Sequence, residues 1–150
     1  MVRIDLGDGR CAYGRQLTGV AVEFFDRVGA AGELVDLLEL VTAPVAFTIW
    51  VADRAFRRSG GWELLDAVTL SQEEASRTYR FAKQDAISRR LSIYTTDPVS
   101  GTYGETPASL EECQGLERAA VWGVVHVEDR LRDHFDGRPN RWVESMRLRP

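Results

Sequence analysis

Reactive side chains are scarce in this chain. In 150 residues histidine occurs twice (His126 and His134), cysteine twice (Cys11 and Cys113) and lysine once (Lys83). There is no Cys-x-x-Cys and no second cysteine near either one, which excludes the usual zinc framework. The histidines stand eight residues apart, about 12 Å along one helix and too far to chelate a single ion. No serine sits in a Gly-x-Ser-x-Gly elbow. Gly7-x-Gly9 lacks the third glycine, the following helix and the Lys-Ser/Thr of a phosphate loop, and reads instead as a tight turn. The residues therefore predict no catalytic, cofactor or metal set.

Long apolar runs are missing as well. The longest uncharged one, Leu40 to Ala52, contains Pro44 and is too short to cross a bilayer. Asp5, Asp8, Arg10 and Arg15 interrupt any apolar signal segment, so the expected location is the cytoplasm, with no membrane partner. A net charge of −4 and a pI near 5.2 argue against a nucleic-acid surface. The one basic cluster, Arg54, Arg57 and Arg58, is short, with only Phe56 as an interleaved aromatic.

What is present describes a globular protein: 44% hydrophobic and 28% charged residues, at a length that fits one domain, 1–150, able to bury its own core. Cys11 and Cys113 read as buried free thiols, though nothing in their spacing forbids a pair. Residues 1–26 predict a β-meander. Val2, Ile4 and Leu6 alternate with charges, Asp8-Gly9 is a hairpin signal, and Thr18-Gly19 marks the next turn. Gly14 in mid-strand implies a bulge or the close approach of another backbone.

Leu34, Leu37, Leu38 and Val41 recur at helical spacing opposite Glu33, Asp36 and Glu39, predicting a helix over 31–41. Strands are expected within 45–95: a central one at Val45–Val51, a turn at Ser59-Gly60-Gly61, then Trp62–Val68 and Ile87–Thr95. Residues 71–86 read as loop with one short helix, and Asp97-Pro98, Gly101 and Gly104 as another loop. The region 107–136 reads as helical. Ser109 with Glu112 opens a first helix lined by Leu110, Cys113, Leu116 and Ala120. After Gly123 a second carries Val124, Val127, Leu131 and Phe135 and stops at Gly137, leaving a tail 137–150. The fold class is α+β: a curved, mostly antiparallel sheet, at most a partly open barrel, with one internal helix and a C-terminal helical pair.

Glu128, Asp129, Asp133 and Asp136 place four carboxylates within nine residues, beside Arg130, Arg132 and Arg138. They form either a solvated helix face with ion pairs of about 0.3–0.5 kcal/mol each, or an acidic strip that meets a basic partner. Trp50, Trp62, Trp122 and Trp142 are core candidates, and any left exposed would suit an interface. For an enzyme or ligand-binding domain, the one combination worth testing is a pocket around His126 with Asp129 or Tyr13.

Two blocks remain: Gly7-Asp8-Gly9-Arg10-Cys11-Ala12-Tyr13-Gly14-Arg15, and Glu112 to Trp122 followed by His126-Val127-Glu128-Asp129-Arg130-Leu131. With Val20–Asp26, Pro44–Val51, Gly61-Trp62, Phe81–Asp85 and Gly137–Trp142, they resemble the immunity protein 26 family of bacterial polymorphic toxin systems. Gly7, Asp8, Gly9, Tyr13, Gly14, Glu117, Trp122 and His126 carry the motif, and Cys11 departs from it where an aromatic is expected. The resemblance implies a non-enzymatic protein that binds and neutralises a cognate toxin, and it transfers no catalytic residue. An acidic total charge agrees with a basic toxin.

Overall fold

The computed structural model describes residues 1–17, 19–56 and 62–149, without the side chains of residues 53 and 54. Thr18, the Ser59-Gly60-Gly61 turn, and the Arg57 and Arg58 side chains of the basic cluster lie outside the described residues. In chain order the strands and helices are β1 (Val2–Asp5), β2 (Arg10–Gln16), β3 (Ala21–Ala30), α1 (Leu37–Leu40), β4 (Val45–Val51), β5 (Glu63–Leu64), α2 (Gln72–Ala75), β6 (Arg80–Gln84), β7 (Leu91–Thr96), β8 (Tyr103–Pro107), α3 (Leu110–Cys113), β9 (Glu117–Arg118), β10 (Val121–Trp122), α4 (Val124–Phe135) and α5 (Arg141–Ser145). The class is α+β with antiparallel-rich sheets, as expected. The chain divides into two compact units, Met1–Val68 with Val121–Ser145, and Thr69–Ala120 with Met146–Pro150.

The first unit is built on a six-stranded sheet, ordered β10-β4-β3-β2-β1-β5 and antiparallel except where β10 joins β4. The Asp8-Gly9 hairpin forms as read. Leu6 donates to the Arg10 carbonyl at 3.0 Å, and Gly7 and Gly9 hold φ of +77° and +84°, values that side chains with a Cβ resist. At Gly14 both expectations are met. The β2–β3 register shifts between Ala12 and Gly14, and a Cβ there would stand 3.0 Å from the Glu23 carbonyl and 3.1 Å from the Phe24 ring.

Pairing registers put Val2, Ile4, Ala12, Val22, Phe24, Phe47 and Ile49 on one face of this sheet, with Phe24 and Phe47 5.2 Å apart. On the other face Cys11, Tyr13 and Phe25 pack with Leu40 and with Val35, Leu37 and Val41. Arg15 and Glu23, cross-strand neighbours at 5% and 1% exposure, form an ion pair at 2.7 Å.

The second unit holds a four-stranded sheet, β8-β7-β6-β9, antiparallel except at β6–β9. Ala82, Ile93 and Cys113 form its core, with Leu91, Ala108, Leu116 and Leu148 against it. Ser109 and Glu112 make the reciprocal capping box at α3, and α2 carries a second one from Ser71 and Glu74.

The structure corrects several boundaries. The helix over 31–41 shrinks to Leu37–Leu40, because its cap is Asp36, whose carboxylate accepts from the Leu38 amide at 2.8 Å. The strand before it runs on through Gly29 to Ala30. The helical region 107–136 is broken: α3 ends at Cys113, Gln114 is extended and Gly115 takes φ +75°. Glu117–Arg118 and Val121–Trp122 are then short strands, one added to each sheet, and Ala120 is on no helix. The 3.6-residue spacing of Leu110, Cys113, Leu116 and Ala120 was real only for its first turn. Trp62–Val68 contributes just Glu63–Leu64, and Ile87–Thr95 starts at Leu91 after an Asp85-centred turn. Strands β6 and β8 arise where loops were expected, and the tail contains α5. No described helix is long and apolar enough to cross a membrane.

Candidate functional site

Helix α4 has the bounds its sequence announces, from Gly123 as N-cap to Asp136 as C-cap. Val127 and Leu131 are fully buried, and Arg130 is buried to 8% exposure. Arg130 lies at i+3 from Val127, hence on the apolar stripe, and that spacing was the available signal for its burial. Its guanidinium stands 3.9 Å from the Phe47 ring centroid and 5.0 Å from that of Trp122, a cation over two aromatic rings.

The four candidate contact carboxylates are on or next to this helix, and each has a partner within the first unit. Glu128 accepts from the Trp62 indole at 3.1 Å. Asp129 accepts from Arg132 at 2.7 Å and from the Trp142 indole at 3.2 Å. Asp133 takes Arg138 at 3.0 Å and the Asn140 amide at 2.8 Å. Asp136 takes Arg10 at 2.9 Å and Arg138 at 3.0 Å. Arg132 holds the Asp129 carboxyl below its ordinary pKa, the Trp142 indole adding to the effect against a smaller desolvation penalty.

Asn140 was not among the predicted residues, yet it joins two elements. Its side-chain oxygen accepts the Trp142 and Val143 amides at 3.1 and 3.2 Å, capping α5, while its nitrogen grips Asp133. Asparagine just after Pro139 and just before Arg-Trp-Val-Glu was the sequence signal for that cap.

The histidines have structural neighbours. The His126 ring lies 3.9 Å from the Trp142 ring, tilted by 33°. His134 Nε2 is 2.9 Å from Asp26 and its ring packs edge-on to Phe47. Trp62 and Trp122 are buried, and Trp50 and Trp142 half-buried, so none stands out as an exposed anchor.

Tyr13 is fully buried with Cys11 Sγ 3.2 Å from its hydroxyl, and burial pushes its phenol far up. The motif residues Gly7, Asp8, Gly9, Tyr13, Gly14, Trp122 and His126 all belong to the first unit; Glu117 belongs to the second, paired with Phe81. Both cysteines are free and buried.

Described residues line cavities in both units. One of about 510 Å³ in the second unit is bordered by Lys83, Ser92 and Glu105. Two smaller ones in the first unit, of about 210 and 180 Å³, lie beside α1 and beside Arg3 and Cys11. His126 lines none of the three.

No curated protein and no solved structure matches the chain. A protein-family model does, over residues 1–92: immunity protein 26. The matched span takes in the Gly7–Arg15 hairpin, the strands that follow it and Phe81–Asp85, while the blocks from Glu112 onward lie beyond it. With well over half of its length matched, the chain belongs to the immunity protein 26 family.

Proposed function

We propose that this protein is a cytoplasmic, non-enzymatic antidote that binds a cognate toxin of a bacterial polymorphic toxin system and blocks it. Membership of the immunity protein 26 family carries the reading. The α4 region supports it: Asp129, Asp133, Asp136 and both histidines are occupied in joining α4 to the hairpin, to α5 and to the sheet. These contacts give the three carboxylates and His134 a role in holding the unit together. The net charge of −4 favours a basic toxin as partner, speeding encounter at low ionic strength.

The test is to express the toxin domain encoded beside this gene with and without this protein, to score survival, and then to measure binding of the purified pair. Rescue together with a stoichiometric complex is expected. No rescue and no complex would remove the immunity reading. Rescue without binding would favour a small enzyme or ligand-binding domain working near His126.

A further inference from the structure

The α4 region is not where the chain carries its excess negative charge. From Val124 to Arg141 four carboxylates are matched by four arginines, each carboxylate of the strip bonded inside the unit. From 28 to 52 there is no lysine or arginine at all, against Glu33, Asp36 and Glu39. Residues 59–76 and 91–117 are also acidic without a basic residue, so charge alone does not single out 28–52.

The same stretch holds two leucines that the helical pattern would bury and the structure does not. The segment leading through α1 is apolar on two sides. Val35, Leu37, Leu40 and Val41 face inward onto Cys11, Tyr13 and Phe25. Leu34 and Leu38 face out, 96% and 70% exposed, and Leu34 borders the cavity of about 210 Å³ together with Arg27, Asp36, Glu39 and Thr42. Glu33 is tied to Arg27 at 2.7 Å and Asp36 caps α1. The Glu39 carboxylate has no partner among the described residues. Local pattern and fold disagree here, and such disagreement concentrates at functional surfaces.

We infer that the Leu34–Glu39 face, with its adjoining cavity, is where this protein receives a basic surface of its toxin. This deepens the immunity reading and rests on it. Two exposed apolar side chains stand beside acidic residues; the cations at this face, Arg27 and Arg3, are both bonded at Glu33, which leaves Glu39 unpaired among the described residues. That matches the anatomy of an interface: an apolar centre to be desolvated and a charged rim that steers a cationic partner. The leucines supply affinity and Glu39 supplies association rate.

The experiment uses the full-length protein and the toxin domain encoded beside its gene. Titration calorimetry gives affinity, and stopped-flow mixing at two salt concentrations gives the association rate. Leu34→Ser with Leu38→Ser is expected to weaken binding at least tenfold at unchanged melting temperature. Glu39→Lys is expected to slow association and flatten its salt dependence. Ile87→Ser, equally exposed at 94% but in the second unit beside Arg89 and Arg90, is expected to bind as the parent does.

Parent-like affinity of the double serine variant would overturn the inference while leaving the immunity reading intact. A parent protein that neither binds nor protects removes both. If light scattering shows a dimer that the double variant dissociates with toxin affinity unchanged, the face pairs copies of this chain and the inference fails.

Discussion

Arg10 and Asp136, 126 residues apart in sequence, meet at 2.9 Å and fasten the first hairpin to the C-cap of α4. The same arginine is bonded to Asp8 within the hairpin turn, so one guanidinium spans turn and helix end. One turn earlier Arg132 repeats the link, donating to the Leu6 carbonyl at 2.7 Å while it holds Asp129. The hairpin and the end of α4, at opposite ends of the chain, are thus parts of one joint, although only the hairpin lies in the matched span.

If that joint stabilises the first unit, Arg132→Met should cost about 1–2 kcal/mol. A hydrogen bond involving a charged group contributes about 1.5–3 kcal/mol, reduced here because the side chain is partly exposed. Urea denaturation followed by tryptophan fluorescence measures it. A midpoint equal to that of the parent would mean that α4 is held by Val127 and Leu131 alone.

Glycines at two sites should fail for different reasons. A Cβ on Gly29 would stand 2.8 Å from the Tyr13 hydroxyl and 2.5 Å from Glu33, inside a packed cluster, whereas one on Gly9 meets nothing within 4 Å. Gly29→Ala should therefore cost roughly 1–3 kcal/mol through overpacking, and Gly9→Val a similar roughly 1–3 kcal/mol through backbone strain alone. Removing the obstruction separates them: Tyr13→Phe should relieve Gly29→Ala in part and leave Gly9→Val untouched. Equal effects of Tyr13→Phe on both would reject the steric account.

Cys11 and Cys113 are 2% and 1% exposed, and burial raises the Cys113 pKa, keeping it a thiol at neutral pH. Both should react with an aromatic disulfide reagent only as fast as their units open, and at once in urea. Prompt reaction of Cys113 in buffer would contradict its packing against Ala82 and Ile93.

Short-range chemistry was legible in the sequence where one residue decided it. Asp8-Gly9, the Ser109–Glu112 box, Gly123 and the Gly137 stop all stand where the pattern put them, because turns and caps are local bargains between a side chain and its own backbone. Gly14 was readable for the same reason: a glycine inside a strand implies a neighbour that leaves no room, here Phe24. What escaped depends on distant partners. Nothing local marks Arg80–Gln84 as a strand until Leu91–Thr96 lies beside it, nor Val121–Trp122 until β4 offers its edge. The leucines at 34 and 38 kept a helical period that Asp36 cut short by capping late. The candidate carboxylates stand together on or beside α4, but spacing alone gives no sign that Trp62, Trp142, Asn140 and Arg10 would occupy them.

The last expectation concerns pH. Arg132 lowers the pKa of Asp129 in the folded protein, with the Trp142 indole assisting, while in the unfolded chain it returns to its ordinary value near 3.8. A carboxyl whose folded pKa is depressed stabilises the fold at pH above the unfolded value, and that contribution fades as pH falls through the folded one. Asp129→Asn should therefore lower the urea midpoint at pH 7, and the gap between parent and variant should close progressively on acidification below about pH 4. The comparison must be made between the two proteins at each pH, since Asp8, held low by Arg10, loses its contribution over the same range in both. A gap that stays constant down to pH 2 would show that the amide disturbs packing around Trp142 and that the Asp129–Arg132 charge pair adds nothing.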